Sequence, residues 1–290
     1  MKYIIIILLI FLIAVLLVLL ESKRECRKVR ETKYNIKSDK LTGDKAGLRI
    51  VMLSDLHNTV FPKNNKAIWD IIERNNPDAI VVAGDILVSK DSHYNKNIKS
   101  ADFVNQLAGY APVYYGLGNH ERAIFNSTES NLWDEYKSRL VDNVRLLIDE
   151  EVTVYKEDAV FNLYGLNLSK EYYRRFKKKK LNIDDINLKL GTCDKDKYNI
   201  LIGHNPDYFE EYAEWGADLI LAGHNHGGLV RLPVLGGVIS PRFNIFPKYD
   251  YGMFKKGKSL MILSNGLGAH TLKIRVNNIP EIAVIDINQQ

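Results

Sequence analysis

Five short apolar runs in this chain each break off into a knot of carboxylate, imidazole or amide side chains. Leu48–Leu53 leads into Ser54-Asp55-Leu56-His57, and Ala79–Ala83 into Gly84-Asp85. Pro112–Tyr115 leads towards Gly118-Asn119-His120-Glu121. Asn199–Ile202 leads into Gly203-His204-Asn205-Pro206, and Leu219–Ala222 into Gly223-His224-Asn225-His226-Gly227-Gly228. Apolar runs of this length between turn signals read as buried strands. In α/β sheets, sites collect beyond the carboxyl ends of the strands. A single aspartate after a strand is an ordinary turn or cap residue. Five such ends, holding five of the seven histidines, call for a fold that brings them to one centre. His93 and His270 lie outside these knots.

Between the runs the spacing is helical. Asn65 to Asn75 places Ile68, Ile71 and Ile72 on one face, with Pro77 just past the end. Further helices are expected within residues 98–109 and over 131–141. Short strands around 145–148, 152–156 and 160–165 then follow one another directly, which predicts a second sheet. Residues 168–197 show no clear period. They contain Arg174, Arg175 and the run Lys177–Lys180, read first as a solvated face and alternatively as a patch for anionic headgroups or substrate. A short helix after His204 carries Tyr208, Phe209, Tyr212 and Trp215, an aromatic stripe that reads as core packing. Residues 229–262 read as loop-rich, and closing strands are expected near 259–264 and 281–287.

Tyr3 to Leu20 is an apolar run of 18 residues without a charge. As a helix it spans about 27 Å, near the hydrocarbon thickness of a bilayer. No small-x-small cleavage site precedes Glu21, so the run reads as an uncleaved transmembrane anchor over residues 1–22. Residues 23–45 read as a basic juxtamembrane linker, with a flexible reach of about 25–30 Å. A catalytic domain over 46–290 follows. Eight Lys/Arg lie within residues 21–40, against Lys2 and the α-amine before the anchor. By the positive-inside rule the domain then faces the cytoplasm. The whole formal charge of +5 sits before residue 41, and the remainder sums to zero. A neutral globular part argues against a nucleic-acid partner. Cys26 and Cys193 are the only cysteines, which excludes a disulfide framework and a thiolate zinc site. The oligomeric state is left open.

Mixed carboxylate, imidazole and amide donors suit Mn, Fe or Zn better than Ca or Mg. Two such ions about 3.5–4 Å apart activate water and clamp an in-line displacement at phosphorus. The ordered set Asp-x-His, Gly-Asp, Gly-Asn-His-Glu, Gly-His and Gly-His-x-His resembles the calcineurin-like metallophosphoesterases. The resemblance implies an α/β fold, the four-layer α/β/β/α sandwich of that family, behind one N-terminal transmembrane helix. It implies Asp55, His57 and His226 as ligands of a first metal, and Asn119, His204 and His224 as ligands of a second. It implies Asp85 as the bridge and His120 as the catalytic histidine that contacts phosphate and assists the leaving group. Glu121 is expected to orient rather than react. Two divalent ions are thus the expected cofactors, with Mn favoured.

The anchor, Gly-His-Asn-Pro, Gly-His-x-His-Gly-Gly and the tail with Gly266-Leu267-Gly268, Ile274-Arg275 and Pro280-Glu281 are similar to membrane-anchored bacterial members. That branch includes enzymes cleaving UDP-diacylglucosamine and others of general phosphodiesterase activity. The chain departs from the family at Val88, where an acidic partner for His120 often stands, and at Leu229, where glutamine is frequent. The expected substrate is a phosphodiester or pyrophosphate-type linkage, in a molecule that is membrane-associated and in one reading lipid-linked. The competing readings are a catalytically silent scaffold and a metallo-β-lactamase-type hydrolase. The first should have lost ligands; the second should carry Asp-His after His-x-His, where Gly227-Gly228 stands.

Overall fold

The structure, a computed structural model, describes residues 2–43, 47–127, 131–175, 178–233, 235–240, 244–269 and 273–290, the side chain of Asp91 excepted. Helix α1 (Lys2–Glu25) is followed by strands β1 (Arg30–Ser38) and β2 (Gly47–Leu53). Next come α2 (Pro62–Asn75), β3 (Ala79–Ala83), α3 (Tyr94–Ala108), β4 (Val113–Gly116), α4 (Asn119–Phe125), α5 (Leu132–Ser138) and β5 (Val144–Leu147). The chain continues through β6 (Glu150–Lys156), β7 (Ala159–Gly165), α6 (Ile183–Leu190), β8 (Tyr198–Ile202), α7 (Phe209–Trp215) and β9 (Leu219–Ala222). It closes with β10 (Val230–Leu232), β11 (Gly236–Ile239), β12 (Gly252–Lys256), β13 (Ser259–Leu263) and β14 (Glu281–Gln289).

Two six-stranded sheets form, in the orders β1-β14-β2-β3-β4-β5 and β12-β13-β9-β8-β7-β6. Strands β2, β3, β4 and β5 are mutually parallel, as are β13, β9, β8 and β7. Parallel strands are covered on both faces and read as unbroken apolar runs. Strand β3, Ala-Ile-Val-Val-Ala, is buried at every position. Its Ile80 and Val82 pack under α2 and α3 with Ile68, Ile72 and Val104, whereas Val81 and Ala83 face the second sheet with Ile200 and Leu221. On the far side Leu201 and Ile220 meet Ile186, Phe209, Tyr212 and Trp215. The layers are therefore α/β/β/α, and the aromatic stripe of α7 is core. Because the central strands run parallel, the loops bearing the polar knots leave the two sheets at a common rim.

Two expectations need correction. Residues 23–45 are not a free linker: α1 continues to Glu25, and β1 pairs in parallel with β14 from Arg30↔Glu281 to Ser38↔Gln289. Ile36 and Ser38 turn inward while charged side chains point out, the pattern of a charge-protected edge strand. Residues 229–262 hold more order than expected, with the β10–β11 hairpin and β12 beside β13.

Helix α1 carries its apolar side chains in the open from Tyr3 to Leu20 and is long and apolar enough to cross a membrane. Its last turn is seated on the domain. Ser22 Oγ accepts from the Arg275 N–H at 2.9 Å, and Glu25 accepts from the Asn278 N–H at 2.9 Å. Within the lysine run, Lys178 pairs with Asp207 and Lys179 Nζ lies 4.9 Å over the Tyr172 ring. Lys177 lies outside the described residues.

Candidate metal centre

Every candidate residue lies just past a parallel strand: Asp55 and His57 after β2, Asp85 after β3, His204 after β8 and His224 and His226 after β9 on loops, and Asn119 and His120 after β4 in the first turn of α4. Five of them adopt left-handed backbone, with φ of 52° at Asp55, 47° at His57, 57° at Asp85, 74° at His224 and 50° at His226. Such residues cost about 1–3 kcal/mol each and persist where the surroundings over-determine them. Here the loops are zipped together through their backbones. Asp55 N–H donates to Gly84 O at 2.9 Å, His57 N–H to Asp85 O at 3.1 Å, and Gly223 N–H to His204 O at 3.1 Å. Two glycines make the approach possible. A Cβ on Gly118 would lie 2.2 Å from Asp85 Oδ1, and one on Gly223 would lie 2.4 Å from Asp55 Oδ2.

The side chains converge into two groups, Asp55/His57/His226 and Asp85/His204/His224, with His57, Asp85 and His120 forming a third overlapping set. Within each set the donor atoms lie within 4.8 Å of one another. His226 Nε2 stands 3.3 Å from Asp55 Oδ1, and His204 Nε2 3.2 Å from Asp85 Oδ2. Three imidazoles are braced through Nδ1 against carbonyls: His204 on Ala83 O at 2.7 Å, His57 on Leu87 O and His226 on Gly268 O, both at 3.3 Å. A carbonyl can only accept, so Nδ1 of each ring carries a proton and Nε2 is the atom turned towards the centre. The Nε2 atoms of His57 and His226 thus converge to 3.1 Å. Nε2 of His204 and Oδ1 of Asn119 are buried without a hydrogen-bond partner among the described residues. A cation relieves each of these arrangements, so the donor set fits divalent metal.

The electrostatics agree. Burial opposes ionisation of Asp85, but the imidazoles of His204, then His120, hold its carboxyl well below the usual range. Asp55 is raised to about 6 by burial, against the pull of His204 and with the push of Asp85. For His204 burial favours the neutral ring, yet Asp85 raises it to about 9. Asp55 is further fixed by Ser54 Oγ and by the His224 N–H, 3.1 Å from each of its oxygens. Asp85 Oδ1 accepts from the His120 N–H at 2.8 Å. Beneath it, buried Glu121 accepts from the N–H groups of Asp85, Leu87 and Gly118 at 2.8, 2.9 and 3.1 Å, and from Tyr115 OH at 2.9 Å. Burial and then Asp85 raise its pKa to about 7. It ties the Asp85 loop to the Gly118 turn.

A cleft of ≈ 690 Å³ opens over Asp85, Asn119, His120, His224 and His226. Arg122, Lys170 and Arg174 line it with positive charge, and Tyr173 closes one wall, its ring 5.2 Å from that of His224. The His120 ring lies edge-on to His57 at 5.0 Å. Its Nδ1 accepts from the Ser89 N–H at 2.9 Å, which leaves the proton on Nε2. The brace that an acidic residue at Val88 would give is supplied one position later by backbone. Arg122, Lys170, Tyr173 and Ser89 were missed in the sequence. Glu121's neighbour Arg122 could have been noticed as a cation one residue past the motif. The others carry no periodic signal.

Residues 48–228 match the family described as calcineurin-like phosphoesterase. YkuE of Bacillus subtilis, described as an uncharacterized metallophosphoesterase, is 27% identical over 89% of this chain and 85% of its own. The phosphodiesterase YaeI of Escherichia coli is 26% identical over 83% of each chain. The NAD nucleotidase NadN of Haemophilus influenzae superposes with a TM-score of 0.50 at 14% identity, over 77% of this chain and 46% of that one. That last likeness concerns the fold alone.

Proposed function

The chain belongs to the calcineurin-like phosphoesterase family, a family of two-metal phosphoester hydrolases, and from that membership we propose that it cleaves phosphodiester or pyrophosphate-type linkages at a membrane surface. Asp55, His57 and His226 would hold one ion, Asn119, His204 and His224 the other, and Asp85 would serve both, with manganese the favoured metal. The observation that carries this is the convergence of two buried groups, Asp55/His57/His226 and Asp85/His204/His224, each with its donor atoms within 4.8 Å of one another. When bound, the ions supply charge neutralisation at the phosphoryl oxygens and activation of water.

The chain's own residues do the rest. His120, its proton set on Nε2 by the Ser89 N–H, donates to the phosphoryl or leaving-group oxygen. Arg122, Lys170 and Arg174 neutralise and orient the anionic substrate in the cleft. Three cations suit a substrate carrying charge beyond the scissile phosphate, as a pyrophosphate does. A phosphodiesterase among the similar proteins supports the diester class. Helix α1 supports a single-pass anchor, and the basic residues after it support a cytoplasmic face.

The test is Asp85→Asn in the purified full chain. Elemental analysis of the wild type should give close to two transition ions per chain, and the variant should lose metal and diesterase activity together. Full metal retention in the variant would remove Asp85 as the bridge.

A further inference from the structure

A second cavity, of ≈ 540 Å³, lies on the other flank of His57, between the metal centre and the end of α1. Cys26, the first residue past the helix, lines it, as do Lys90, Lys96 and Lys273. The three lysines come from three separate segments: the loop after β3, the first turns of α3, and the loop before β14. Among the described residues none of their ammonium groups forms an ion pair or hydrogen bond. His93 sits among them and registers the combined field. Its pKa is lowered first by burial, then by Lys96 and Lys90, with His120 and Lys273 adding. Like charges gathered at a cavity repel one another unless an anion joins them. The apolar part of the lining is Val60, Val88, Leu267 and Ala269, with Val60 71% exposed at the surface.

We propose that this cavity is a second anion site, distinct from the metal centre, that takes a phosphate group, and that its natural occupant is the headgroup of an anionic lipid. Two observations support the lipid as the source. The cavity abuts the residue at which the apolar helix ends, the level of the headgroups if α1 spans the bilayer. The helix is also hydrogen-bonded to the same loop that carries Lys273 and Arg275, so the cavity is held at that level rather than free to swing away. The site itself does not depend on the membrane reading; only the source of its phosphate does.

The experiment uses the full chain in non-ionic detergent. Thermal stability is followed on adding phosphatidylglycerol, phosphatidylcholine or inorganic phosphate, for wild type and for the combined variant Lys90→Ala, Lys96→Ala, Lys273→Ala. Each basic residue near a membrane surface contributes about fivefold to affinity for an anionic lipid, so the variant should bind about 10²-fold more weakly. It should keep wild-type hydrolysis of a soluble aryl phosphodiester, which shows that fold and metal centre are intact. The expected result is a rise in melting temperature with phosphatidylglycerol, absent with phosphatidylcholine and lost in the variant. If inorganic phosphate alone reproduces the lysine-dependent rise, the cavity is an anion site and the lipid assignment is wrong. If no anion separates wild type from the variant, the site does not exist. Loss of hydrolysis in Asp85→Asn with the lysine-dependent shift preserved would show that the two readings stand independently.

Discussion

Replacing Gly118 by alanine tests whether the metal centre depends on backbone approach as much as on its ligands. Gly118 has φ of −90°, which alanine adopts without strain, so the perturbation is confined to one methyl group. That methyl would lie 2.2 Å from Asp85 Oδ1 and 2.5 Å from Asp85 N. An ordinary contact begins near 3.4 Å, so the Asp85 carboxylate must retreat by about 1 Å. The retreat also pulls on the Asp85 and Gly118 N–H bonds to Glu121, so it cannot be absorbed locally. Displacements of about 1 Å at a reacting centre cost about 10²-fold in rate, or about 2.7 kcal/mol of barrier. The measurement is kcat on an aryl phosphodiester at saturating Mn, with metal content read on the same sample. Gly109→Ala is the control, since its methyl meets nothing closer than 3.3 Å, at Gln106 O. A Gly118→Ala enzyme with two metals and kcat within threefold of wild type would refute the claim that the Gly118–Asp85 approach sets the bridge.

His120→Ala should retain both metals yet lose about 10²–10⁴-fold in kcat on a diester with a poor leaving group; an unchanged rate there removes its role. Metal uptake should depend on pH. His204 in the metal-free site, raised to about 9, holds a proton at pH 7 that a metal must displace, so apparent affinity should climb about tenfold per unit from pH 7 and level off above pH 9. For the same reason the metal-free fold gains from the charged ring at low pH and loses that contribution as pH rises through about 9, whereas the loaded protein does not; calorimetry with and without chelator reads this. Protease applied to intact cells should spare the catalytic domain if it faces the cytoplasm, and digestion from outside would reverse that orientation.

The convergence of the Asp and His side chains was legible because parallel strands restrict the position of the residues that follow them. Asp55, Asp85, His204 and His224 each follow a run that has no other reading than a buried strand. Strand β1 was not legible. Its outward side chains, among them Lys33 and Lys37, are charged like those of a linker, and its partner Glu281 lies across the whole chain from Arg30. The Ser89 brace on His120 is a backbone N–H, which leaves no mark on residue type. Tyr173 and Lys170 belong to a 3₁₀ turn, too short for periodicity to register. The lysine run drew attention by composition, yet Lys178 and Lys179 are spent on Asp207 and Tyr172. The lysines that gather at a cavity, Lys90, Lys96 and Lys273, are scattered through the sequence and meet only in the fold.

The seat of α1 also has a mechanical meaning. From Ser22 and Glu25 the hydrogen bonds pass to Arg275 and Asn278. From there Arg275 grips the Gly268 carbonyl at 2.6 Å, the same oxygen on which the His226 ring rests, and Asn278 holds the His226 carbonyl at 2.7 Å. Three links therefore separate α1 from the His226 imidazole. A helix mounted this stiffly, where it crosses a bilayer, would turn bilayer thickness into a torque, because a thinner or thicker membrane changes its tilt. The chain is in that sense built as a lever whose long arm is the apolar helix and whose short arm ends at His226.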